Sequence, residues 1–443
     1  MPRYLRGILT FTIPAMSILD LYQLFLKSSG VKTDTRKIRE GEMYVALKGE
    51  NFNGNQFAQQ ALDKGASCAI VDQTDIAQTE NCYLVEDGLL FLQDLATHHR
   101  KQFTIPILAI TGSNGKTTTK ELLAAVLSKK YTVLATEGNL NNHIGVPLTL
   151  LRINSKHSFA IIEMGANHKK EIESYCQWAL PNFALINNCG KAHLEGFGGI
   201  EGVRKGKGEL YDFIKKEGGT IFRNADYDYL ESMSSSIENQ ITYGEFSGTH
   251  RGKIYEHEPF LKIAIVNSGE EQLIPTNLVG DYNLPNVMAA FTVGKHFEVS
   301  KKQIARALSE YEPTNNRSEY KVKNGVHIIL DAYNANPSSM KAAIQSFSNT
   351  KHTNKTMMLG AMMELGVETA IEHENVLDEA LKNQWKYLIT VGKEFEEAAK
   401  NKGLIHFKNA KEAKEWYNSH INKGDWVYIK GSRLTAMEKI IED

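Results

Sequence analysis

The stretch Ile107–Lys130, ILAITGSNGKTTTKELLAAVLSKK, decides how this chain must fold. An apolar strand ending at Ile110 runs into Thr111-Gly112-Ser113-Asn114-Gly115, and Thr118 to Lys130 then places Leu122, Leu123, Val126 and Leu127 at the spacing of one helix face. Strand, glycine turn and helix in that order aim backbone N–H groups and a helix N-terminus at one point, which is what holding a phosphate requires. Lys116 can then reach β/γ-phosphates and Thr117 can ligate Mg²⁺. The usual spelling G-x-x-x-x-G-K-[ST] needs a glycine where Ile110 stands, so the loop is shorter than that motif and its subclass stays open. The plainer alternative is a junction that merely contains Gly and Lys; the run G-K-T-T directly after an apolar strand favours phosphate.

Working outward, 443 residues are too many for one core, and length suggests roughly three domains. Hydrophobic content of 42% and charged content of 23% are those of an ordinary globular protein. Lys plus Arg number 51 against 52 Asp plus Glu, which argues against a nucleic-acid partner, since such proteins carry a basic excess. Cys68, Cys82, Cys176 and Cys189 form no C-x-x-C pair, so reduced cysteines in a cytoplasmic protein are expected. No apolar run approaches the ~20 residues of a membrane span. The start, MPRYLRGILTFTIPAMSILDLYQLF, has basic residues before a short apolar run, as a signal peptide does. Thr10, Thr12 and Pro14 break that run, so residues 1–15 are expected to be an upstream extension, with Met16 the natural start.

The expected fold class is α/β in three domains: a small α/β N-terminal domain (1–103), a central P-loop mononucleotide-binding domain with a mostly parallel sheet (104–312), and a C-terminal Rossmann-like α/β domain (313–443). In the first, EMYVAL and SCAIV read as strands, FAQQALDKGA and GLLFLQDLATHHRKQ as helices. In the second, TVLAT, FAIIEMGA, FALINNCG and GTIFRNA alternate with helical segments; in the third, VHIILDAYN, KTMMLGAM, KYLITVG and DWVYIKGS do so. Ligands of such sheets gather at the carboxyl ends of strands. Glu163 ends one strand, where a carboxylate can complete Mg²⁺ coordination with Thr117; Asn187, Asn188 and His193 follow another. A lone loop histidine and the helical Lys207 would, on their own, read as a solvated ring and an exposed basic face. Asp331 ends a third-domain strand, with Asn334 and Asn336 in the turn before a helix that begins at Pro337. Glu364, His373, Lys430 and Ser432 are expected near one another at later strand ends.

Together TDTRKIREGEMYVALKGENFNG, TGSNGKTTTKE, EGNLNNHIGVPLTLL, EMGANHKKEI, NCGKAHLEGFGG, GDYNLPNVMAA, DAYNANPSSM, LGAMMELG and KGSRLTAMEKI resemble the Mur ligase family, from about Met16 to the end. The family's phosphate loop is the short form G-x-x-G-K-[ST], with Gly112 and Gly115 as its two glycines. The resemblance implies an ATP-dependent amide ligase of cytoplasmic peptidoglycan-precursor synthesis. EMGAN and YNANP point to the member that joins UDP-MurNAc-tripeptide to D-alanyl-D-alanine. It implies that Gly112, Ser113, Asn114, Gly115, Lys116, Thr117 and Thr118 cradle ATP, with Asn286, Arg317, Asn334 and Asn336 also on the nucleotide. Thr117 and Glu163 would hold one Mg²⁺ and His193 a second; Lys207 matches a lysine that several members carbamylate into an anionic oxygen ligand, so it belongs with the metal set. Lys116, Glu163, His193 and Lys207 are thus the catalytic candidates. Thr33, Asp34, Thr35, Arg36 and Asn53 would bind the UDP moiety, and Asn139 and Asn142 would contact substrate. The family's D-S-R reads Asp34-Thr35-Arg36, which keeps the hydroxyl, and its D-G-H reads Asn53-Gly54-Asn55, which removes a charge.

The resemblance leaves a ligase that adds the third amino acid, or a folylpolyglutamate synthase, as alternatives lacking this first domain and YNANP. A P-loop switch would not need a third α/β domain with its own polar strand ends. No membrane or nucleic-acid partner is expected, and nothing demands more than a monomer.

Overall fold

The computed structural model describes residues 16–267, 270–314 and 316–442, so the expected extension 1–15 lies outside the described residues. The chain divides into two compact units, both α/β. The first comprises the described residues up to Thr104 together with Asn139–Ser155 and Gln177–Leu180. Its parallel sheet runs in the order Val31–Lys32, Met43–Val45, Cys68–Val71, Cys82–Leu84, as EMYVAL and SCAIV predict. Ser17 caps the helix Ile18–Lys27 by accepting from the Asp20 amide, and this helix buries Leu21, Tyr22 and Phe25 along one stripe. Asp87 caps Gly88–Arg100 in the same way. The segment 139–155 belongs here because its helix Gly145–Leu150 packs on Gly88–Arg100. His99 Nε2 meets the Ile153 carbonyl at 2.8 Å, and Gln93 donates to that of His143.

The second unit contains two sheets. The larger runs Glu270–Pro275, Lys262–Asn267, His250–Glu256, Gln240–Gly244, Thr220–Asn224, Phe183–Ile186, Ile107–Thr111, Phe159–Glu163, Val133–Ala135. The predicted strands form most of its parallel part; the parallel strand Gln240–Gly244 and the antiparallel edge at 250–275 are additions that the sequence pattern did not reveal. Ile107–Thr111 sits centrally, with Phe159–Glu163 on one side and Phe183–Ile186 on the other. Strand order reverses there, which opens a crevice at its carboxyl end, and the glycine turn occupies it. The helix Lys116–Leu127 leaves this turn and buries Leu122, Leu123, Val126 and Leu127 completely, each worth ~1.5–3 kcal/mol of burial. It packs on Leu284–His296.

The six-stranded sheet runs Glu319–Lys323, Val326–Asp331, Trp426–Lys430, Lys355–Gly360, Tyr387–Val391, Ile405–Phe407, parallel except for its first strand. Tyr282, just before Leu284–His296, shares hydrogen bonds with Tyr428 on this sheet (2.7 Å) and with Ser318 (2.9 Å), so the two sheets are tied through half-buried hydroxyls. The four cysteines are buried and unbridged. Among the described residues, no helix is long and apolar enough to cross a membrane.

Candidate active site

The glycine turn is built so that only glycine fits at its two key positions. Gly115 has φ +79°, and a Cβ there would lie 2.5 Å from Asn286 Oδ1; Gly112 has φ +152°, and a Cβ would lie 2.8 Å from that of Asn187. The turn is pinned from the neighbouring strand. Ser113 and Asn114 donate their amides to the carbonyl and side chain of Asn188, and the Ser113 hydroxyl donates to Gly190 (2.7 Å). Lys116 opens the helix and curls its ammonium back to the Gly112 carbonyl at 2.7 Å. Thr118 is on the helix's first turn, half-buried. Asn286 lies under the loop and uses its amide inside the fold, accepting from Thr119 and Asn187 and donating to Asn283. It therefore braces the cradle from below.

Charges converge at the loop. Thr117 donates to Glu163 Oε1 at 3.1 Å, and Lys120 Nζ stands 3.6 Å from Glu163 Oε2. All three are buried. The pair Thr117–Glu163 suits Mg²⁺: both donors are hard oxygens, and an octahedral shell at about 2.1 Å sets neighbouring ligands roughly 3 Å apart. Burial pushes the Lys116 ammonium down, Glu163 opposes this, and Arg317 adds to it. Lys207, which the bare pattern reads as an exposed basic face, is 1% exposed. Burial, and then the charge of Lys116, brings it down to about 7. Its ammonium lies 5.4 Å from the Phe197 ring centre. Among the described residues, no three His, Cys, Asp or Glu side chains converge as a ready-made metal cage.

The C-terminal sheet brings YNANP directly onto the loop. Asn336 caps the helix Pro337–Ser348 and also donates from Nδ2 to Asn114 Oδ1 at 2.7 Å. Ser338 accepts from the Lys191 amide at 2.9 Å. Arg317 lies 3.7 Å over the Tyr333 ring, with Arg433 at 6.0 Å. His193 pairs with Glu364, which holds the Glu364 carboxyl below its usual range. These two, with Asn334, Asn336, Ser432 and Arg433, line a cleft beside the loop. Of the four strand-end residues expected together, Glu364 and Ser432 face this cleft. His373 is buried, accepting from the Met362 amide and bonding the Thr369 carbonyl; Lys430 pairs with Asp331 at 2.6 Å. Both engage their polar atoms within the fold, Lys430 also donating to the carbonyl of the cleft residue Asn334 at 3.3 Å.

In the first unit, Arg36 forms a fork on Asp34 that holds the carboxyl down at about 2. Thr35 donates to Gln60 (3.1 Å). Asn55, standing where the family has histidine, donates to Asn53 (2.9 Å) and to Asp72 (2.7 Å), and Lys48 pairs with Asp72. Asn142 Oδ1 accepts from the amides of Ile144 and Gly145 just ahead of the helix Gly145–Leu150, and the Asn139 carbonyl accepts from Asn141. Two residues escaped the sequence reading. Lys120 was legible only as a lysine one turn beyond Lys116, and Lys191, which pairs with Glu372, carried no pattern.

Residues 27–100 match the Mur ligase family catalytic domain, 110–294 the Mur ligase middle domain, and 316–433 the Mur ligase glutamate ligase domain. The chain is 34% identical to the UDP-N-acetylmuramoyl-tripeptide–D-alanyl-D-alanine ligase of Bacillus subtilis strain 168, over 94% of this chain and 92% of that one. Its fold is similar to MurF from Acinetobacter baumannii (TM-score 0.86, 29% identity, 97% and 98% of the two chains). It is also similar to MurF ligase from Thermotoga maritima in complex with ADP (TM-score 0.84, 26% identity, 94% and 97%).

Proposed function

We propose, on the premise that this chain belongs to the Mur ligase family, that it joins D-alanyl-D-alanine to UDP-N-acetylmuramoyl-tripeptide with ATP, in the cytoplasm and as a monomer. A carboxylate is a poor acyl donor until its oxygen becomes a good leaving group. The terminal carboxylate of the tripeptide therefore takes the γ-phosphoryl of ATP, the dipeptide amine attacks the acyl phosphate, and phosphate departs. Negative charge develops first on the phosphoryl in transit and then on a tetrahedral oxyanion, so the protein acts by position and electrostatics.

Lys116 and the turn from Gly112 to Thr118 stabilise the phosphates, and Arg317, Asn334 and Asn336 close on the nucleotide side, while Asn286 holds the cradle in shape. Thr117 and Glu163 would hold one Mg²⁺, and His193 with a carbamylated Lys207 a second; such ions neutralise charge on the transferring phosphoryl. Lys207 is suited to carbamylation because burial, and then the charge of Lys116, brings its ammonium down to about 7 and so favours the neutral amine that CO₂ requires. The domain division 1–103, 104–312 and 313–443 belongs to the same proposal, with Thr33, Asp34, Thr35, Arg36 and Asn53 on the UDP moiety and Asn139 and Asn142 on substrate.

The observation that carries this reading is the Asn336–Asn114 bond, because a ligase needs YNANP and the phosphate loop to meet over one reaction. ADP release is to be measured with ATP, Mg²⁺ and UDP-MurNAc-tripeptide, with and without D-alanyl-D-alanine. Release requiring both substrates, with a product heavier by the dipeptide less water, is expected. Release indifferent to both would overturn the substrate assignment and leave only a nucleotide site.

A further inference from the structure

We infer that Lys120 decides which divalent cation the site accepts, by holding one oxygen of Glu163 so that the carboxylate offers only the other. The inference rests on the reading above that Thr117 and Glu163 hold the ion. Lys116 and Lys120 are one turn apart on the same helix and so project from one face. Lys116 reaches back to the glycine turn, whereas Lys120 reaches across to Glu163 Oε2 at 3.6 Å. Lys120 is 3% exposed, and its ammonium also donates to the Gly138 carbonyl at 3.2 Å, which holds it in place. Glu163 is equally fixed: its amide donates to Thr136 Oγ1 at 2.9 Å, and its other oxygen, Oε1, faces Thr117.

The two carboxylate oxygens are therefore unlike. Oε1 stands beside a second hard oxygen, and Oε2 stands beside a buried positive charge that repels any cation seeking both. Mg²⁺ is satisfied by one oxygen per carboxylate in a tight octahedron, but Ca²⁺ takes six to eight oxygens and commonly grips a carboxylate through both. A buried ammonium on Oε2 penalises the bidentate mode and leaves the monodentate mode intact. Lys120 is thus a positioning residue that acts through Glu163.

The test is a calorimetric titration of the full chain with Mg²⁺ and with Ca²⁺, each with a non-hydrolysable ATP analogue bound, in wild type, K120M, K120R and E163Q. In wild type the ratio of Ca²⁺ to Mg²⁺ dissociation constants should exceed that of the free analogue. K120M should narrow the ratio by about tenfold, mainly through tighter Ca²⁺ binding, the scale on which groups behind a metal ligand act. K120R, which keeps the charge, should retain the wild-type ratio within about threefold. An unchanged ratio in K120M, with both ions weakened in E163Q, overturns the role of Lys120 while the Glu163 assignment stands. Unaltered Mg²⁺ affinity in E163Q overturns the ion assignment itself. Should K120M fail to fold, a wild-type ratio no greater than that of the analogue alone still refutes the inference.

Discussion

Lys207 allows the sharpest quantitative prediction. Carbon dioxide adds only to a neutral amine: the nitrogen lone pair attacks carbon, a proton leaves, and a carbamate anion results. With its ammonium brought down to about 7 by burial and by the charge of Lys116, Lys207 has a neutral fraction that changes over an accessible range. That fraction is about 10% at pH 6 and about 90% at pH 8, so uptake at fixed dissolved CO₂ should rise about tenfold and then level off. A lysine at the usual value of about 10.4 would rise about a hundredfold over the same interval and keep climbing. The assay is incorporation of isotopically labelled CO₂ into protein first depleted of CO₂, with K207M as the blank. Methionine suits that position because it fills an apolar pocket beside Phe197 without a titrating group. K207M should also lose about a hundredfold or more in kcat, as loss of a preorganised charge in a buried site does. A hundredfold rise without a plateau, or label retained in K207M, refutes the reasoning from burial to a neutral amine.

Gly115→Ala forces φ +79° on a residue with a Cβ, costing about 1–2 kcal/mol, and drives that carbon against Asn286. Equilibrium binding should show weaker ATP with unchanged affinity for the UDP substrate. Asn336→Ser keeps a helix cap but is too short to reach Asn114, so kcat should fall about tenfold with little change in melting temperature, whereas Asn336→Ala should also lose about 1 kcal/mol of stability. Burial holds His373 below its ordinary range, so the unfolded chain binds its proton more tightly. Its contribution to stability is therefore complete at neutral pH and declines as pH falls through the ordinary imidazole range. Denaturant melts at pH 7 and pH 5 should show this decline in wild type and its loss in His373→Leu. The variant should be destabilised by about 1–3 kcal/mol at pH 7, because the Met362 amide loses its acceptor.

The strands and helices that build the site were legible because each carries its period locally: ILAIT, FAIIE and FALI are apolar runs up to their carboxyl ends, as strands covered on both faces are. The antiparallel edge at 250–275 was not: His250–Glu256 is mostly exposed and lacks a clear alternation, and although Ile263, Ala264 and Ile265 are fully buried, their pairing depends on neighbours rather than on their own pattern. Asn142 illustrates packing that the chain order does not show. Its motif sits between central-sheet strands in sequence, yet the segment folds with the first unit because Gly145–Leu150 finds its apolar partner on Gly88–Arg100.

The sequence by itself determined the strand–glycine turn–helix that we propose as the phosphate cradle, since strand, glycines, lysine and hydroxyl lie within a dozen residues and their geometry follows from local backbone rules. It also determined the α/β class and, through resemblance, the Mur ligase family. Only the tertiary structure decided which of the scattered polar residues share a site. It buried Lys207 beside Lys116, set Lys120 against Glu163, joined Asn336 to Asn114, and turned Asn286, His373 and Lys430 inward to hold the scaffold. The physical reason is that burial and charge proximity are properties of packing between segments far apart in the chain. An ammonium that would be unremarkable on a solvated helix is pushed toward its neutral form, or becomes a fixed counter-charge, only once other segments have removed the water around it.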